Sequence, residues 1–332
     1  MIATLSLILA MQDQWISPKT NAELLDEVMT LPEEGIVDIF HWNAFTFMAD
    51  RYEGYFGGKD EYVLKKSKPA AIDLLVARGA DAVPYLASQL GSTQPTKAAF
   101  GTSPFSSMFL SALYDPKVRE VGVDQVFPDG EEQDALLQHT FCRGDVAFAA
   151  LGQIVNRWYG RFPAQNTAIG SPPKLPKLRA RAEAEWGHLT REGLREVLRK
   201  DMLQPDSDDR MTYALCRYRT YFPEDAVRMA VECLKTSYGK WDPVGGNGIQ
   251  FFFQLMPIAC AEIDKICYEM LNKSLKQNHF IIDYDGFKIG VLCYLKDRPG
   301  YRAKCFEFAR KHANEKTAEG WASADFLKKN KE

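Results

Sequence analysis

The sequence predicts an all-α fold, a right-handed stack of antiparallel helix pairs interrupted by long loop insertions. Three observations predict it. Residues 70–92, AAIDLLVARGADAVPYLASQLGS, read as two short amphipathic helices joined by a tight turn. Helix starts recur in pairs about 35–45 residues apart, the period of stacked helical repeats. Residues 144–159, GDVAFAALGQIVNRWY, place Phe148, Leu151, Ile154, Val155 and Trp158 on one arc of a helical wheel.

Within the first of these stretches each residue type has a place. Ile72, Leu74 and Leu75 give the leading helix an apolar face, and Gly79 stops it where a left-handed residue is needed. Pro84 falls in the first turn of the second helix, where its missing N–H costs nothing. Leu86 and Leu90 supply the second apolar face before Gly91 closes it. The order of leucines, glycine, Ala-Val-Pro and leucines resembles a HEAT- or armadillo-type repeat. The resemblance implies an α-solenoid, because one such unit cannot bury its own apolar face and must stack on neighbours. It implies no particular activity.

The other elements follow in chain order. Asn21 to Met29 reads as a helix capped by Thr20 or Asn21, with Glu23 in its first turn. Residues from about 20 to 57 read as an N-terminal cap, aromatic through Phe40, Trp42, Phe45, Phe47, Tyr52, Tyr55 and Phe56. Residues 92–107 are rich in proline, glycine and hydroxyls and open an insertion, without an element of its own, that runs to about 130. Pro163, Pro172, Pro173 and Pro176 forbid a continuous helix and mark a second insertion over 160–176. Helices resume at 176–187 and 191–203. A repeat-like pair then runs from Met211 to Tyr221 and onward from Pro223, with Glu224 and Asp225 suited to a helix start. Residues 249–272 are helical with a kink at Pro257, and Arg302 to His312 and Trp321 to Lys329 supply the last helices. Phe280 to Leu295 admits a hairpin around Asp285-Gly286, but its second half reads as helix among helices.

Composition narrows the class. With 332 residues, 46% hydrophobic and 26% charged, the chain suits one helical-repeat domain over 13–332. A net charge of −3 argues against a dedicated nucleic-acid binder. One local surplus stands out between Lys174 and Lys200, eight basic residues against four Glu, interleaved as on a solvated helix face. Seven cysteines form no CxxC pair and sit among apolar neighbours, which favours free thiols in a reducing compartment. Against this, Ile2 to Met11 is an uncharged apolar decapeptide, too short to span a bilayer. It admits two readings, a cleavable export signal over residues 1–12 or a first helix packed on the stack, and with them an exported or a cytoplasmic location.

Catalytic signatures fail one by one. Gly101-Thr-Ser103-Pro-Phe105 lacks the second glycine of a nucleophile elbow. Gly245-Gly-Asn-Gly248 lacks the Lys-Ser/Thr of a phosphate loop. Around Asp283-Tyr-Asp285-Gly286 the end positions of a calcium loop would be Ile281 and Leu292, which offer no side-chain oxygen. His139 and Cys142 have no third metal ligand, and Arg143-Gly144-Asp145 runs directly into a helix. No cofactor or metal is implied.

What remains is the polar side of helix 144–159. Asp145, Gln153, Asn156 and Arg157 form a candidate binding face toward a groove bordered by Thr167, Ser171 and Lys174. The competing reading is architectural: Asp145 caps the helix while Gln153 and Asn156 bond neighbouring loop backbone. The sequence therefore favours a non-catalytic scaffold that binds a protein or peptide. The alternative is an enzyme whose site is built from the 92–130 and 160–176 insertions.

Overall fold

A computed structural model describes residues 16–42, 47–49, 69–99, 140–157, 171–174, 176–204, 208–237, 248–272, 284–315 and 318–330. Helices predominate, with one small two-stranded sheet among the described residues. The described residues divide into two compact units, those up to Val197 and those from Leu198 on. Residues 1–12 lie outside the described residues, as do much of the aromatic cap, most of both insertions, His139 and Trp158.

In the first unit, α1 (Asn21–Met29) begins with a capping box. Thr20 Oγ1 accepts the Glu23 N–H at 3.2 Å, and the Glu23 carboxylate accepts the Thr20 N–H at 2.6 Å. Two otherwise orphaned donors are satisfied reciprocally. Helix α2 (Glu33–Trp42) carries Glu33 and Glu34 in its first turn and buries Ile36 and Ile39. Then come α3 (Ala71–Ala77), a 3₁₀ turn over Gly79–Ala82, and α4 (Val83–Gln89). Gly79 has φ +58°, the left-handed stop that the sequence predicts. Helix α1 packs on α3, and both α3 and α4 pack on α5 (Arg143–Val155). Helix α6 (Pro176–Trp186) lies against α4, and α7 (Arg191–Leu203) follows, its last turns from Leu198 belonging to the second unit.

The first insertion departs from expectation at its start. Pro95–Ala99 is a strand, β1, paired antiparallel with β2 (Thr140–Cys142). Pro95 aligns with Cys142 and Ala99 with Thr140, with an irregularity between them. Nothing local in PTKAA favours a strand. It forms because a distant segment supplies the ladder, and strand preference is largely set by such context.

Helix α5 is the centre of this unit. All of its residues from Arg143 to Val155 are buried, so the helix is enclosed on every face. Its sequence fits that position, since small and aliphatic residues (Ala147, Ala149, Ala150, Leu151, Ile154) surround only three polar side chains.

The second unit is built from α8 (Asp208–Tyr221), α9 (Ala226–Ser237), α10 (Gly248–Leu255), α11 (Ala261–Asn272), α12 (Tyr284–Leu295), α13 (Arg302–His312) and α14 (Ala318–Lys329). The expected kink at Pro257 is a 3₁₀ turn, Met256–Ile258, that separates α10 from α11. The doubtful segment before Leu295 is helical from Tyr284. Helix α10 packs on both α8 and α12, and α14 packs on α12. Helix α11 packs on α9, while α8–α9, α11–α12, α12–α13 and α13–α14 are also in contact. Phe222, Phe251, Phe252, Leu255, Leu292 and Phe326 fill the core between them. No helix among the described residues is long and apolar enough to cross a membrane.

Candidate functional site

The predicted site residues sit at the two ends of α5. At its N-terminus the Asp145 carboxylate accepts the Cys142 backbone N–H at 2.9 Å and lies 3.0 Å from the Cys142 thiol. A carboxylate there also suits the positive end of the helix dipole. Burial, with Asp145 alongside, pushes the Cys142 thiol up to about 12, so it is no nucleophile near neutral pH. A Cβ on Gly144 would come within 2.6 Å of Leu90 O and 2.9 Å of Ser92 O, so only glycine admits this approach. The Arg-Gly-Asp tripeptide is therefore packed inside the unit.

Sequence reasoning missed Arg143, which is 7% exposed. Its Nη1 donates to Asp26 of α1 at 2.5 Å, its Nη2 to the Tyr85 hydroxyl at 2.7 Å and its Nε to Gln89 at 2.9 Å. Its backbone N–H donates to Gln94 O at 2.8 Å, beside β1. A planar guanidinium can serve several acceptors at once from fixed directions. Only its place before an apolar helix, where an arginine needs acceptors, pointed to it.

At the other end, Gln153 is 1% exposed and its Oε1 accepts the Met48 N–H at 3.0 Å. Asn156 ends the helix with φ 57° and ψ 42°, fully buried. Asparagine is the commonest non-glycine residue in that left-handed position. Arg157 is half-buried; its Nη1 donates to Val155 O at 3.2 Å and Asn156 O at 3.0 Å, and its guanidinium lies 5.7 Å from the Trp186 ring centre. The structure thus brings Gln153, Asn156 and Arg157 together. It places Asp145 roughly 16 Å away along the axis, by the rise of an α-helix. Of the proposed groove border, Thr167 lies outside the described residues, Ser171 is fully buried, and Lys174 is exposed.

The second unit holds further buried polar groups. Asp264, 4% exposed, accepts Tyr294 Oη at 2.7 Å and Arg298 Nε at 2.9 Å on the same oxygen. Burial and this carboxylate push the Tyr294 phenol well above its usual range. Lys288, 1% exposed, donates to Leu271 O at 2.6 Å, near the C-terminal end of α11. A cation there complements the negative end of that helix. Arg217 and Arg219 of α8 are buried as well, donating at 3.0 Å to Tyr213 O and Gln254 O. Desolvation pulls the Arg217 guanidinium below its usual range. Among the described residues no group of three or more His, Cys, Asp or Glu is placed to hold a metal ion.

A half-buried pair of rings beside an exposed cation contrasts with these. Tyr268 of α11 and Tyr301, just before α13, have ring centres 5.5 Å apart, and Lys304 Nζ lies 4.9 Å and 5.0 Å from them.

No family model, curated protein or solved structure matches the chain.

Proposed function

We propose that the protein is a non-catalytic helical-repeat protein that binds another protein or a peptide. The observation that carries this reading is the packing of the second unit, where helices two apart in sequence lie together: α8 with α10, α10 with α12, α12 with α14, and α9 with α11. That alternation is how repeat units bury the apolar faces they cannot bury alone, and it leaves extended faces on which partners dock. The fold of residues 70–91, two short helices about a left-handed Gly79, supports the same reading of a HEAT-like solenoid. In the first unit Arg157 is the one predicted site residue that is not fully buried, and it is the binding anchor proposed there.

The test is affinity capture from the source cell with wild type and Arg157→Ala side by side, followed by reconstitution of purified pairs. The expected result is a partner that binds wild type directly and the variant more weakly. Equal binding of both removes Arg157 from the interface. Failure of wild type to form any reconstituted complex overturns the reading and moves weight to the enzyme alternative.

A further inference from the structure

Tyr268 and Tyr301 hold a cation between them, and it is the chain's own. Both rings are half-buried, with their planes tilted 59° to each other. Lys304 Nζ stands 4.9 Å from one ring centre and 5.0 Å from the other, on an exposed side chain. The buried Asp264, one turn before Tyr268 on α11, belongs to the same cluster. Its bonds from Tyr294 and Arg298 both fall on Oδ1, so Oδ2 accepts none. Burial, then the Asp264 carboxylate, with Glu269 adding to them, raise the Tyr301 phenol, so acids act on this ring. Glu269 lies 4.0 Å from Lys265, and Asp297 and Glu307 are exposed on either side of Tyr301 in sequence. Arg302 and Arg310 turn to the other side of α13, toward Phe306. These surroundings suit a cation.

A ring face attracts a cation against the water that the cation must shed. A lysine ammonium is strongly hydrated, and Lys304 is already present at the rings. Tethering gives it an effective concentration on the order of millimolar. An ordinary lysine from outside therefore gains nothing by taking its place. A quaternary ammonium differs, because it donates no hydrogen bonds, sheds water more readily and covers ring faces with its methyl groups. We propose that Tyr268, Tyr301 and Asp264 form a binding site for a quaternary ammonium group, with Lys304 as its resident plug. A trimethylated lysine side chain and a free choline-like cation share that chemistry. The inference needs only this cluster and is independent of the helical-repeat reading.

Fluorescence anisotropy of the full chain tests it, with a labelled Gly-Ser decapeptide carrying one trimethyl-lysine. Companion peptides carry ordinary lysine, or the neutral isostere in which carbon replaces Nζ. Wild type should bind the trimethyl-lysine peptide more tightly than either companion. Lys304→Ser removes the plug and should tighten that binding at least about tenfold. Added to Lys304→Ser, Tyr268→Phe keeps a ring and should preserve the gain, whereas Tyr268→Leu should lose it. Circular dichroism should show all variants equally helical. Tetramethylammonium chloride, at matched ionic strength, should compete with the peptide. Competition at concentrations like the peptide's own marks the free cation as sufficient, and competition only far above them marks the methylated peptide as the better source. No gain in Lys304→Ser, equal binding of the carbon isostere, or no competition by tetramethylammonium overturns the proposal.

Discussion

The Gln153 side chain accepts the backbone N–H of Met48 at 3.0 Å, across 105 residues of chain. The bond is buried, so water cannot replace it if the side chain is cut back. Gln153→Leu keeps the bulk but strands that N–H, and an unpaired buried donor costs about 1–3 kcal/mol. Urea unfolding followed by circular dichroism should show that loss. A midpoint equal to wild type would mean that Met48 finds another acceptor.

Asn156 offers a cleaner separation of backbone from side chain. It holds φ 57° and ψ 42°, a region glycine enters freely and alanine does not. Both Asn156→Ala and Asn156→Gly lose the amide, but only the alanine variant adds backbone strain. The alanine variant should be the less stable by about 1 kcal/mol. Equal stabilities would show that this helix end has moved.

The capping box of α1 should respond to acid. Bonds from the Thr20 backbone N–H and hydroxyl, in that order, hold the Glu23 carboxyl below its ordinary value of 4.5. A depressed folded-state value stabilises the fold above the ordinary value and loses that contribution as pH falls through the depressed one. The stability gap between wild type and Glu23→Gln should therefore be steady near neutrality and shrink as pH drops below 4.5. A gap independent of pH would show that the charge of Glu23 is irrelevant to the cap.

Thiol labelling gives a map of burial along the chain. Cys260 is half-buried, whereas the other six cysteines are buried. Burial raises the thiols of Cys142, Cys267 and Cys305, so they are protonated as well as inaccessible. Iodoacetamide on the native protein, read by mass spectrometry, should modify Cys260 first and those three only under denaturant. Early labelling of Cys267 would mean that α11 opens readily.

Helix positions were the most legible part of the sequence. The predicted helices at 191–203 and 302–312 coincide with α7 and α13, because their apolar residues repeat at helical spacing between clear breaks. Gly79 was legible for a local reason too, since only a left-handed residue closes so short a turn. Strand β1 was not, because its partner lies far along the chain and PTKAA has no pattern of its own. The environment of α5 was half legible. The wheel separates Leu151 and Ile154 from Asp145 and Gln153, but periodicity cannot tell solvent from the Met48 backbone as the partner of a polar side chain. Arg143 and Asp264 depend on acceptors or donors from distant segments, which no local pattern announces.

The clasp made by Arg143 separates the two units in time. Its bond to Asp26 joins residues 117 apart, so the first unit must close a very long loop before that contact contributes anything. In the second unit Lys288 reaches Leu271 only 17 residues away, and helices meet their near neighbours in sequence. Chains rich in short-range contacts assemble faster than those that depend on distant ones. On release from the ribosome the C-terminal helices, although synthesised last, are thus placed to assemble first. The socket around α5 closes only when Asp26, made early, has waited for Arg143 to arrive.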